Sequence, residues 1–312
     1  MRRFIARLLA FSLLVAVVIG GVCLAEIAAE VRAYRRELVA PAQASALVCG
    51  DSQAGGDIDP EACPKFFNFS AHGRSLDQSY LAALDALDRN AGGGIKTVVF
   101  DVTPSAAASS MSCGMGEMGY AGKYWLLHYL YPRESLRDLG GGLVVARDNL
   151  VGRRLRHFWR AVRGKVKFES SLKGGFVTTD IIDKRQCPER YWKLLNGKAA
   201  EAKGHAAMGP EPPYASKVLD KVVALAHARG VEPVFITTPW NGDLRMACGA
   251  GELDAFTRTM SDFAKSRGCV YIDFLRAELA DDLWGDGNHL NHAGAKVFTK
   301  MLAGELERRS LL

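Results

Sequence analysis

The sequence contains no CxxC pair, no His/Cys cluster at zinc spacing and no nucleotide-binding motif, so zinc-finger and phosphate-loop functions are set aside at the outset. No segment repeats. A strong charge of one sign is also missing. Forty basic residues face 34 acidic ones, and a formal net charge of +6 gives no support for nucleic-acid binding. With 48% hydrophobic and 24% charged residues, the chain lacks the polar bias of disorder, and 312 residues suit one large α/β domain or two small ones.

Long apolar runs are scarce too, with one exception. Arg2, Arg3 and Arg7 precede LLAFSLLVAVVIGGVCLA, uncharged from Leu8 to Ala25. At about 1.5 Å per residue this just spans a hydrocarbon core of about 30 Å. The segment is either a single-pass anchor or a signal peptide cleaved after Ala25. We expect an anchor, because EIAAEVRAYRREL continues the helical pattern. Residues 1–40 are then a membrane anchor with a juxtamembrane helix, and residues 41–312 a domain outside the cytoplasm. The expected location is the inner membrane, single-pass, with the domain on the periplasmic or extracytoplasmic side. Arg32, Arg35 and Arg36 nearly balance the charges ahead of the span, so the orientation rests on the short cationic tail before a large domain. Six cysteines lie beyond the span (Cys49, Cys63, Cys113, Cys187, Cys248, Cys269), an even number that an oxidising compartment can pair. Against pairing, Cys49 and Cys269 sit in apolar, strand-like runs.

Beyond the anchor, apolar runs at 44–50, 65–70, 95–102, 231–238 and 268–274 read as buried strands. Amphipathic helical patterns cover 75–89, 214–229, 254–268 and 293–309. The alternation predicts an α/β fold with a parallel sheet and helices on both faces, whose ligands sit at the carboxyl ends of the strands. Residues from about 104 to 213 break the rhythm and read as a large insertion. It carries PSAAASSMSCGMGEMGYAG, an aromatic run, and the basic stretch RRLRHFWRAVRGKVK. That stretch is read as a solvated helix face, with contact to anionic lipid or glycan as the alternative.

Two short motifs carry chemistry. LVCGDSQAGG ends a strand pattern at Gly50, Asp51 and Ser52, where Ser52 is either a helix cap or a nucleophile presented at a strand end. Far downstream, WGDGNHLNHAG places Asp286 three residues before His289, so that a carboxylate can orient one imidazole nitrogen and leave the other free as a base. Asp51 is expected to accept backbone N–H bonds in the turn.

GDSQ early and DGNHLN late, in that order and each at the end of an apolar run, resemble the first and last blocks of the SGNH (GDSL-type) hydrolase superfamily. The resemblance implies a three-layer α/β/α fold in which Ser52 is the nucleophile, His289 the general base and acid, and Asp286 the orienting carboxylate. It also implies an oxyanion hole from the backbone N–H groups of Ser52 and of a second-block glycine, matched by Gly73 in NFSAHGRS. No metal or cofactor is implied. The third block departs from the pattern: IKTVVFDVTPSAAAS has no asparagine. Thr103, Ser105 and Asn241 are the polar residues near enough in sequence order to be considered, and the side-chain donor stays unassigned. The anchor, the insertion and the atypical third block together are similar to membrane-anchored SGNH-like proteins of cell-envelope modification, such as the teichoic acid D-alanyl-transfer protein and exopolysaccharide O-acetyltransferases.

Candidate substrate-binding residues are His72, Trp240, Asn241 and Trp284; the two tryptophans are either stacking faces for a sugar or, the favoured reading, buried at the sheet edge. His292 is weighed as a second base, while His128, His157, His205 and His227 are read as structural. The expected function is a serine esterase or O-acyltransferase on a cell-envelope polysaccharide. Its expected partners are an acyl donor, a cell-envelope glycan, the membrane and an integral membrane acyltransferase, without nucleic acid. Two alternatives stay open: a non-catalytic glycan-binding or assembly partner, and a lipase or thioesterase on small acyl substrates.

Overall fold

The protein is represented by a computed structural model that describes residues 1–107, 125–135, 163, 176–177, 187–206 and 213–312. Five strands form one parallel sheet: β1 (Ala46–Cys49), β2 (Phe66–Asn68), β3 (Thr97–Asp101), β4 (Glu232–Thr237) and β5 (Val270–Asp273). Their order is β2-β1-β3-β4-β5. All five lie within the runs expected from sequence, and the α/β class is as expected.

Both faces of the sheet are covered, which explains why the strands read as continuous apolar runs. Leu47, Cys49, Val98, Phe100 and Phe235 point into one core. Helices α1 (Arg2–Glu37), α3 (Leu76–Arg89), α6 (Pro213–Ala228) and α8 (Ala250–Ser266) close that face. Ala46, Val48, Val99, Val234, Ile236 and Ile272 point the other way, against α2 (Ser52–Asp57) and α9 (His292–Arg308). A third cluster joins α5 (Pro188–Ala206) to α7 (Gly242–Cys248) through Tyr191, Leu195, Trp240 and Leu244. The chain reverses its direction of travel across the sheet between β1 and β3, the switch point at which such sheets open a crevice.

The carboxyl end of α1 packs on the domain that follows it. α1 is one continuous helix whose residues 2–18 are exposed, whereas Tyr34 and, just past its end, Leu38 are fully buried in the domain core. Ile27 and Val31 pack against the same core, giving a stripe at 27, 31, 34 and 38. Burial of a large apolar side chain stabilises by about 1.5–3 kcal/mol. The end of α1 is thus part of the domain. α1 is also long and apolar enough to cross a membrane.

Much of the expected insertion lies outside the described residues, including the basic stretch and Cys113, as do His157 and the side chain of His205. Its described pieces include α4 (Trp125–Leu130), where His128 is buried with Nδ1 2.8 Å from Ser135 Oγ and Nε2 3.4 Å from Asp77 Oδ2. None of the described cysteines is paired, and burial pushes the Cys49 thiol up to about 12. Two of these thiols, Cys49 and Cys248, fill core positions.

Candidate active site

Helix α2 begins directly after β1, at the switch point. Asp51 is its N-cap, with Oδ1 accepting the Gln53 N–H at 2.8 Å. Capping therefore falls to Asp51, and the Ser52 hydroxyl is left for other contacts. Gly50 makes the tight approach possible, because a Cβ there would lie 2.7 Å from Asp101 Cβ and 2.9 Å from Ala54 Cβ.

Ser52 Oγ lies 3.0 Å from His289 Nε2, across 237 residues of sequence. His289 Nδ1 is 3.0 and 2.9 Å from the two oxygens of Asp286. The Asp286 carboxylate also accepts the Asn288 and His289 N–H groups, each at 2.9 Å. Burial raises the pKa of Asp286, but the His289 hydrogen bond and charge, with these backbone donors, outweigh it and hold the carboxyl below its usual value. An ionised Asp286 accepts only, so Nδ1 carries the ring proton and Nε2 offers its lone pair to the Ser52 hydroxyl.

The loop carrying Asp286 and His289 is stitched to itself. The Gly285 and Asp286 N–H groups donate to His289 O at 2.9 and 3.2 Å, and Trp284 pairs antiparallel with Leu290. Asn291 caps α9, its Oδ1 accepting from Gly294 N at 3.0 Å. Gly294 is forced by packing, since a Cβ there would meet Leu283 O at 2.1 Å.

The first turn of α2 has the opposite character. The Gln53 N–H goes to Asp51, the Gly55 N–H to Asp51 O, and the Ala54 N–H to the Asp101 carboxylate. Among the described residues the Ser52 N–H has no acceptor, which leaves it available to a developing negative charge beside Oγ.

Three residues not singled out from sequence hold Ser52 in place. Gln53 is buried, and its Oε1 accepts from Thr238 Oγ1 at 2.9 Å and Trp240 Nε1 at 2.8 Å. Asp57, fully buried at the end of α2, accepts the Leu290 N–H at 2.8 Å and so ties α2 to the residue after His289. Asp101 accepts the Thr238 N–H at 3.3 Å. Burial drives the pKa of both Asp57 and Asp101 up, and neighbouring carboxylates add to it, so each favours its protonated form.

The other expected residues divide. His72 joins the site, its ring nearly parallel to that of His289 with centroids 6.3 Å apart. Gly73 follows in the same exposed turn with φ +75°, closed by the Arg74 N–H on Ala71 O at 3.2 Å. Trp240 takes the buried of its two readings: it is fully buried, offers no face to a sugar and serves as a donor behind Ser52. Asn241 is engaged on both ends of its side chain. Its Oδ1 caps α7 on Leu244 N at 2.9 Å, and its Nδ2 donates to Tyr191 Oη at 2.7 Å and to Asp286 O at 3.4 Å. It anchors the Asp286 loop. Trp284 is half-buried against the core shared with α9. Thr103 Oγ1 lies 3.3 Å from Ser105 Oγ and accepts the Ala106 N–H at 3.1 Å, so these hydroxyls are engaged with each other. His292 is exposed at the start of α9, with its ring 6.0 Å from Phe176. The Val177 N–H donates to Gly55 O at 2.9 Å, so the expected insertion does reach α2.

Among the described residues, no group of three or more His, Cys, Asp or Glu could hold a metal ion. No protein-family model and no curated protein matches the chain. Among solved structures, it is similar to a GDSL-like lipase from Bacteroides thetaiotaomicron, with 8% identity over 88% of this chain and 94% of that one, TM-score 0.39. It is likewise similar to a lipase/acylhydrolase from Enterococcus faecalis, with 11% identity over 85% of this chain and 96% of that one, TM-score 0.36.

Proposed function

We propose that the chain is a membrane-anchored serine esterase or O-acyltransferase of SGNH type. The observation that carries this reading is the run of contacts Asp286–His289–Ser52, at 2.9 and 3.0 Å, ending on a serine whose own N–H has no acceptor among the described residues.

In this reading Ser52 Oγ attacks the acyl carbon of an ester while its proton passes to His289 Nε2. Asp286 stabilises the imidazolium, and the N–H groups of Ser52 and Gly73 receive the oxyanion. Collapse expels the alcohol, which takes the proton from His289 and leaves an acyl-Ser52. Water or a glycan hydroxyl then loses its proton to His289, attacks the same carbon, and frees Ser52. The acceptor that wins is decided by how far the loops over the site exclude water. The substrate we assign is an acyl ester of a cell-envelope polysaccharide, with the domain outside the cytoplasm. This assignment rests on the anchor and on the resemblance of GDSQ and DGNHLN.

Turnover of an acetyl ester by the detergent-solubilised full chain, with and without an oligosaccharide acceptor, tests the reading. We expect acetyl esters to be preferred over long-chain ones, and acylated oligosaccharide to form when acceptor is present. Hydrolysis restricted to long-chain esters points instead to a lipase, and no turnover at all refutes the enzyme.

One observation favours a second reading. Asn241, Thr103 and Ser105 are all committed elsewhere, so none of these three candidates is left as a side-chain donor on the oxyanion side. A non-catalytic assembly partner of a membrane acyltransferase needs no such donor. It predicts that Ser52→Ala and His289→Ala chains fully restore a deletion phenotype.

A further inference from the structure

The path of α1 fixes which side of the domain faces the membrane. Its carboxyl end lies at the edge of the sheet where strands begin: Asn90, between α3 and β3, binds Leu38 O at 2.7 Å and Ala40 N at 2.9 Å. Four residues earlier, the ring of Tyr34 packs on Phe69, centroids 5.6 Å apart. Phe69 directly follows the last residue of β2, and its N–H donates to Val48 O at 2.8 Å, so it stands at the edge where strands end. Read toward its amino end, α1 therefore climbs past the carboxyl ends of the strands and leaves the domain on that side. Ser52, His289 and the turn holding His72 and Gly73 all sit on the same edge.

Helix rise sets the gap. From Tyr34 back to Ala25, where the apolar run ends, nine residues at about 1.5 Å each place the hydrocarbon boundary about 13 Å beyond this edge. A head-group layer of about 5–8 Å fills roughly half of that distance. The docked stripe at 27, 31, 34 and 38 prevents the domain from swinging freely about a linker.

We propose that the edge carrying Ser52 faces the bilayer surface, so that its substrate is an acyl ester on a glycan carried by a lipid head group there. This inference rests on the membrane-anchor and esterase readings above. What it adds is the side from which substrate arrives, and the lipid attachment that holds the substrate within reach.

Energy transfer in vesicles tests it. The full chain is reconstituted with a fluorophore on an azido side chain introduced at Asp281, exposed between β5 and α9, or at Ala91, exposed between α3 and β3. Acceptor dyes are placed on the lipid head groups. The two positions lie on opposite edges of the sheet, separated by about 16 Å of strand. Clearly higher transfer from Asp281 is expected, and equal transfer or higher transfer from Ala91 overturns the inference. Failure of the chain to float with vesicles removes the anchor, and the inference with it. In the same vesicles, an acetyl ester on a glycan carried by a lipid head group is expected to turn over at least tenfold faster than the same glycan ester without its lipid at equal bulk concentration. Equal rates overturn the assigned substrate. Failure of the esterase reading registers separately, as loss of turnover on both esters with the transfer difference intact.

Discussion

The two sides of Ser52 are built in different ways. On the base side, Asp286 and His289 lie three residues apart in one loop whose own backbone bonds hold both side chains. On the opposite side, the surroundings of α2 come from the ends of β3 and β4, from the turn after β2 and from residues 176–177. In the proposed reading, the proton relay is encoded locally, whereas the pocket for the oxyanion is assembled by the whole fold. Changes on the base side should therefore strike chemistry, and changes around α2 should strike stability first.

The largest effect is expected on the base side. His289→Ala should lower kcat by about 10⁴-fold or more, and Asp286→Asn by about one to two powers of ten less, with little change in KM for either. Steady-state kinetics on a soluble acetyl ester reads both. A loss below tenfold for His289→Ala would break the comparison, because the relay would then be ornamental.

Asn241 sharpens it next. As an anchor that caps α7, Asn241→Ala should cost about 0.5–2 kcal/mol of stability and less than tenfold in kcat. A fall in kcat of about 10²–10³ at unchanged stability would instead make Asn241 an oxyanion donor.

Asp57 comes third. Asp57→Ala leaves the buried Leu290 N–H without an acceptor and should destabilise by about 1–3 kcal/mol, which thermal unfolding measures. Asp57→Asn keeps the acceptor and should recover most of that loss.

The smallest effect is electrostatic. Burial raises the carboxyl pKa of both Asp57 and Asp101, so the folded chain holds protons that the unfolded chain releases above about 3.9. Their contribution to stability is present below that pH and is lost as pH rises through the folded values. Asp101→Asn should thus raise the melting temperature more at pH 8 than at pH 4. Asp286 runs the opposite way: its lowered carboxyl contributes stability above about 3.9, lost as pH falls through its folded value.

The same contrast explains what could be read from sequence. The strands were legible because each buries both faces and so forms an unbroken apolar run. Asp286 and His289 were legible because a three-residue spacing is local, and Ser52 because it stands at the end of a strand. Gln53 and Asp57 were not, since their partners lie 185, 187 and 233 residues away and a Gln or Asp in a glycine-rich turn gives no sign of burial. Trp240 stayed ambiguous for the same reason: an aromatic after a strand looks alike whether it faces solvent or a buried glutamine. The docked end of α1 was hidden by Arg32, Arg35, Arg36 and Glu37, which mask the apolar stripe among them.

The central claim is that Ser52 is a nucleophile activated by His289, and the most direct measurement is labelling of the full chain by a fluorophosphonate. Attack of Ser52 Oγ on phosphorus, with loss of fluoride, should give stoichiometric adduct on the peptide bearing Ser52. Labelling should vanish in Ser52→Ala and slow by several orders of magnitude in His289→Ala. Undiminished labelling of the Ser52→Ala chain would contradict the account.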